Sequence, residues 1–179
     1  MKKILSKILI CSLIIFCLVG CKKEQKEEKK EDSKKIEIKD TTKVLNCNKT
    51  YNENDIPKSF INEETNKPYG TLIEYITVSY KNEKMTDYKT RIEIALSDEK
   101  TTEEQKQNLE TIMNTNCLSE NNDCISYISN IKDNTITSNI SYKLDSLSTL
   151  SNNSITKQSS SKDIQKYLES NGYTCILTK

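Results

Sequence analysis

Neighbouring carboxylates at Glu63–Glu64, Asp98–Glu99 and Glu103–Glu104 are the first residues in this sequence whose types could do acid–base chemistry. Two acidic groups flanking one bond can give and take a proton, as in glycoside hydrolysis. Adjacent positions do not deliver that geometry. Neighbours on a strand point to opposite faces, and on a helix they stand ~100° apart. Glu103 and Glu104 read better as first-turn acids that favour a helix dipole.

Ser154-Ile155-Thr156-Lys157 has S-x-x-K spacing, and Ser151-Asn152-Asn153 loosely echoes a second motif of penicillin-binding proteins. No K-T-G follows and the surroundings are rich in serine and asparagine, so chance accounts for the match. Glu120-Asn121-Asn122-Asp123 offers oxygen ligands without the alternating spacing of a calcium loop. Asn48 and Asn139 open glycosylation sequons that mean little here, since a chain heavy in lysine, asparagine and isoleucine with Ala95 as its sole alanine looks like the product of an AT-rich bacterial genome. Tyr75, Tyr80, Tyr88, Tyr127 and Tyr142 would suit a stacking surface for sugars or peptides. Alternation along their segments assigns most of them to core faces, where half-buried tyrosine is ordinary packing, and leaves Tyr75 as the exception.

Cysteine is the most informative type. The chain has seven, and no histidine. Cys21 ends an opening in which Lys2, Lys3 and Lys7 precede an apolar run from Ile8 to Val19. That layout is a secretory signal, and the run falls short of the ~20 residues a membrane-crossing helix needs. Leu18-Val19-Gly20-Cys21 resembles the lipobox of bacterial lipoproteins, which implies cleavage before Cys21 and diacylglycerol on its sulfur. Two or three acyl chains hold a protein on a membrane where one holds it only marginally.

Cys11 and Cys17 leave with the signal, so Cys47, Cys117, Cys124 and Cys175 remain. An even set in an oxidising compartment implies disulfides, with three connectivities open. The favoured one joins Cys117 to Cys124 across the loop "CLSENNDC" and Cys47 to Cys175 across the folded region. The irregular spacings and the absence of C-x-x-C argue against a zinc or redox site, and no metal or cofactor is expected.

Charge excludes another class. The whole chain carries a formal +1, Arg91 is its only arginine, and basic and acidic residues are interspersed. No basic face for nucleic acid is expected. Residues 21–43 are dense in lysine and glutamate with almost nothing to bury, and read as a solvated tether. Residues 44–179 suffice for one domain, with isoleucine, leucine and tyrosine as its core.

"KVLNCNKTY" from Lys43 predicts a first strand, and the proline-bearing "NENDIPKSFINEETNKPYG" a loop. Alternation then groups Ile76, Val78 and Tyr80, and after a turn at "KNEK" it groups Tyr88, Ile92, Ile94 and Leu96. Asp87, Lys89, Arg91 and Glu93 fall on the other face. A hairpin with one wet face follows. Leu109, Ile112 and Met113 predict a helix after "TTEE". A second hairpin groups Ile125, Tyr127 and Ile131 opposite Ile136, Ile140, Tyr142 and Leu144. A serine- and asparagine-rich connection leads to a second helix with Ile164, Tyr167 and Leu168 on one face and Gly172 as its stop. "YTCILT" closes the chain as a strand. The expected fold is α+β: an antiparallel sheet of two β-hairpins plus terminal strands, with two helices on one face in a ββα-ββα pseudo-repeat.

The lipobox "LVGC", the hairpins "YITVSYKNEKMTDYKTRIEI" and "ISYISNIKDNTITSNISYKLDSL", and the closing "SKDIQKYLESNGY" together resemble the YehR-like bacterial lipoproteins, a family of unknown function. The resemblance covers most of the chain after Tyr75. It implies an exported, membrane-tethered α+β domain and supplies no catalytic residues. The expectation is a non-enzymatic envelope lipoprotein with a binding or structural role: residues 1–20 signal, 21–43 lipidated tether, 44–179 domain. It would sit on the extracytoplasmic face of the cell membrane. The alternatives are a small histidine-independent envelope hydrolase using carboxylates and an accessory component of a transporter.

Overall fold

The computed structural model describes residues 41–97 and 100–179. Cys21, the signal, nearly all of the tether, and the Asp98–Glu99 pair lie outside the described residues. The fold is α+β. Six strands form one sheet: β1 (Thr42–Thr50), β4 (Gly70–Lys81), β5 (Lys84–Leu96), β6 (Cys124–Lys132), β7 (Thr135–Tyr142) and β8 (Thr174–Thr178). Their order across the sheet is β6-β7-β5-β4-β1-β8, and every neighbouring pair is antiparallel. β1 begins at Thr42, one residue before the expected segment.

Turn chemistry sets the registers. β4 and β5 are joined by Asn82-Glu83, both with positive φ (50° and 62°), the backbone that matches the twist of a two-residue hairpin. The register places Val78 opposite Tyr88 and Leu72 opposite Ile94, so the apolar positions of both strands share one face. Gly70 opens β4 where a Cβ would lie 2.0 Å from the Ala95 carbonyl oxygen, so only glycine lets the backbones approach there.

Among the described residues the four α-helices are short: α1 (Glu103–Met113), α2 (Thr115–Leu118), α3 (Leu147–Leu150) and α4 (Ser161–Ser170). α1 and α4 each start on a capping box, Thr102 with Gln105 and Ser160 with Asp163. Such a cap contributes about 1 kcal/mol by pairing amides the first turn leaves open. α4 ends on Gly172 at φ 84°, with the Tyr173 amide returning to Leu168 O at 3.1 Å.

The inner sheet face carries two apolar clusters. One gathers Leu45, Val78, Tyr80, Ile140, Leu147, Ile155, Ile164 and Leu168; the other gathers Phe60, Leu72, Ile94, Leu109, Met113 and Ile136. Helix α4 serves the first and α1 the second. A satisfied polar knot ties α1 to the second hairpin. Buried Asn114 donates to Glu110 O (2.8 Å) and Ser129 Oγ (2.7 Å), and Ser138 Oγ donates to Asn114 Oδ1 (2.6 Å).

Three expectations are corrected. Ile125 and Tyr127 do not join the core: they are 68% and 42% exposed. The β6–β7 register slips between Cys124 and Ser126, which puts Ile125 in a bulge, and Tyr127 lies on an edge strand with no neighbour beyond it. The segment 52–70 is not plain loop. It carries a 3-10 turn (Lys58–Phe60) and a small hairpin of β2 (Ile61–Asn62) and β3 (Lys67–Pro68), with Ile56 and Phe60 buried. The serine- and asparagine-rich connection is ordered as well. Leu147 and Ile155 are 3% exposed, the Ile155 amide donates to Ser151 Oγ (2.8 Å), and Asn152 and Asn153 take the positive φ that asparagine tolerates.

The four cysteines stand in two pairs at disulfide distance. Cys47 and Cys175 face each other across β1 and β8 with sulfurs 2.07 Å apart, and Cys117 in α2 meets Cys124 at 2.06 Å. The partners stand 128 and 7 positions apart along the chain. By chain entropy the long closure contributes about 5 kcal/mol and the short one about 2.5. Replacing Cys47 and Cys175 together by serine is therefore expected to lower the urea midpoint more than replacing Cys117 and Cys124. Urea unfolding of the two double variants checks the order.

Candidate functional site

One inward-facing position on β4 is not apolar. Leu72, Ile76, Val78 and Tyr80 alternate into the core, and Glu74 stands in the same register between Leu72 of one cluster and Ile76 of the other. Its carboxylate takes hydrogen bonds from two tyrosines: Tyr51 OH at 2.8 Å and Tyr173 OH at 2.7 Å, both onto Oε2. Tyr51 follows β1 and Tyr173 precedes β8, so two neighbouring strand ends converge on one acid. Gly172 makes this possible by turning the chain out of α4 just before Tyr173.

These groups line a cavity of about 320 Å³ between the sheet and the connection that follows β7. Tyr88, Tyr142 and Tyr167 add three more aromatic walls, and Tyr88 and Tyr142 meet edge to face at 6.0 Å. Thr90 stands diagonal to Glu74 on the next strand, opposite Ile76. It is 7% exposed, and its Oγ1 makes no hydrogen bond of ordinary geometry but stands beside the Tyr142 hydroxyl, on which it acts in the direction opposite to burial. Lys49 closes the mouth. Its ammonium lies 4.4 Å from the Tyr51 ring centroid and 5.8 Å from that of Tyr173, and donates to Asn171 O at 3.1 Å.

Burial raises the tyrosine hydroxyls. Tyr51 is pushed from 10.0 up to about 12, first by desolvation and then by the Glu74 charge. Tyr173 moves the same way for the same two reasons, and burial also raises Tyr88 and Tyr142. All four hydroxyls therefore remain neutral at any physiological pH. The arrangement presents fixed aromatic faces, one carboxylate and a buried hydroxyl, which suits holding a ligand. Among the described residues Glu74 is the one carboxylate lining the cavity, where an acid–base pair would need two.

The residues singled out from sequence fall elsewhere. Glu63 and Glu64 are at the tip of the β2–β3 hairpin, and Glu103 is in the first turn of α1, paired with Lys106 at 2.8 Å. Ser154 is exposed while Lys157 pairs with Asp145, so S-x-x-K forms no nucleophile pair. Asn122 sits in the turn after α2, where its carbonyl accepts from Lys143. Asn48 and Asn139 are exposed strand residues. Tyr75 lies on the outer sheet face with the Arg91 guanidinium 5.5 Å from its ring. Tyr80, Tyr88 and Tyr142 are buried as expected, but Tyr88 and Tyr142 also line the cavity. Sequence reasoning missed Glu74, although a carboxylate in the apolar register of "TLIEYITVSY" was a visible signal.

No protein-family model, no curated protein and no solved structure matches the chain.

Raised hydroxyls have a pH signature. A group whose folded pKa exceeds its unfolded value contributes stability that is full below the unfolded value and is lost as pH rises through the folded one. Stability should therefore hold to about pH 10 and decline towards pH 12 as Tyr51 and its neighbours are forced to ionise. Titration followed by tyrosinate absorbance should show Tyr51 ionising near 12, with that step missing in Tyr51→Phe.

Proposed function

We propose that this chain is a membrane-anchored extracytoplasmic lipoprotein whose folded domain is a binding module, with its ligand taken in the cavity over Glu74. The single observation that carries the binding reading is a carboxylate on the core face of a sheet, gripped by two tyrosine hydroxyls at the wall of a cavity. Such groups cost stability where they stand, and binding is the use that offsets the cost. The lone carboxylate favours binding over the hydrolase alternative.

The anchoring part rests on sequence: the lipobox ending at Cys21 and the tether that follows. Two cysteine pairs at disulfide distance suit an oxidising compartment and support export. The YehR-like resemblance belongs to the same proposal, as does the pseudo-repeat, supported by the order hairpin, helix, hairpin, helix along the chain.

Two measurements test the proposal. Intact mass of the membrane-extracted protein is expected to begin at Cys21 with added diacylglycerol, and Cys21→Ser to abolish the addition; a full-length unmodified product in the cytosolic fraction contradicts the anchor. A thermal-shift screen of cationic, neutral and anionic small metabolites tests the module. At least one is expected to raise the Tm of the wild type but not of Thr90→Leu, which fills the cavity. No such compound in any charge class contradicts the binding reading.

A further inference from the structure

We propose that the cavity receives a small amine: its ammonium settles on Glu74 and on the faces of Tyr51 and Tyr173, displacing Lys49, and a second polar group reaches Thr90. This rests on the binding-module reading and names the ligand's chemistry.

Three observations converge on it. The first is the balance of donors and acceptors. Tyr51 and Tyr173 both direct their protons to Oε2 of Glu74 and stand close enough to influence each other, which leaves Oε1 as an acceptor with no protein donor among the described residues. A ligand that completes this set must donate, and an ammonium brings three donors together with the charge that complements a carboxylate.

The second is that an ammonium is already there. Lys49 rests its cation on both rings and anchors it on the Asn171 carbonyl, while making no ion pair with Glu74 among the described residues. The chain thus shows that this mouth accommodates a cation, and that its own lysine stops short of the carboxylate. Lysine is long and flexible, so it can swing to solvent when a ligand ammonium goes deeper.

The third is Thr90. Its Oγ1 is buried beside the Tyr142 hydroxyl without a hydrogen bond of ordinary geometry, and Thr90 lies diagonally across the β4–β5 pair from Glu74, a spacing of about 7–8 Å between such positions. A ligand with an amine at one end and a hydroxyl or second amine several bonds away spans that interval. A volume of about 320 Å³ limits it to the size of an amino sugar or a short amino alcohol.

The test pairs each amine with its alcohol counterpart: glucosamine with glucose, 5-aminopentanol with pentanediol. The full chain is titrated in detergent, and the aromatic NMR signals of Tyr51 and Tyr173 are followed. The amines are expected to shift both signals saturably, with affinity about tenfold or more above the alcohols, the scale of one charge-assisted hydrogen bond. Glu74→Gln should erase that preference, and Lys49→Met, which keeps the stem and removes the competing cation, should tighten amine binding. Near-UV circular dichroism checks that both variants keep the native fold. Alcohols binding as well as amines, or Glu74→Gln binding amines undiminished, overturns the ammonium assignment while leaving the cavity a binding site. Amines that move neither tyrosine, alongside neutral or anionic hits in the thermal-shift screen, overturn it in the same way. If that screen yields no hits either, the binding reading falls with it.

Discussion

A carboxylate on the core face of a β-sheet has few stable solutions. It must find hydrogen-bond partners or give way to something apolar. Glu74 takes the first course: two tyrosine hydroxyls from the ends of β1 and β8 converge on one of its oxygens. Around that acid the inner face divides into two apolar clusters, and the cavity opens against the first of them. The same position that interrupts the core brings charge, aromatic faces and a buried hydroxyl together at the cavity.

Much of the rest of the fold can be understood as holding those two tyrosines in place. β8 is a five-residue edge strand paired only with β1, a weak attachment by itself. The Cys47–Cys175 bridge fastens it one pair from the end of that pairing, a few residues from both tyrosines. Gly172 supplies the left-handed step that ends α4 and lets the chain enter β8 with Tyr173 turned to Glu74. Ile164 and Leu168 seat α4 on the first cluster and so fix where that step occurs. Covalent, conformational and apolar terms thus act on the same few residues.

The period-2 grouping of Ile76, Val78 and Tyr80 with Tyr88, Ile94 and Leu96 was legible because one face of that hairpin is buried and the other wet. Gly172 and the "TTEE" start were legible because caps carry local residue preferences. What failed did so for tertiary reasons. The bulge at Ile125 shifts the alternation by one residue, and no local pattern in "CISYISNI" announces it. "DSLSTLSNNSITKQSSS" reads as linker by composition, yet Leu147 and Ile155 are enough to pin it to the core. The site was hidden because its members are far apart in sequence: Tyr51, Glu74 and Tyr173 meet only after the sheet closes. A search for adjacent carboxylates looks past a single acid placed in an apolar register.

The central claim is that Glu74 and its two tyrosines serve a ligand and not the fold. Urea unfolding of the triple variant Tyr51→Phe/Glu74→Leu/Tyr173→Phe tests this most directly, because it removes the polar cluster while keeping its volume. Stability equal to or above that of the wild type is expected, as when a functional site is replaced by apolar packing. A loss of about 3 kcal/mol or more would contradict the claim and mark the cluster as structural.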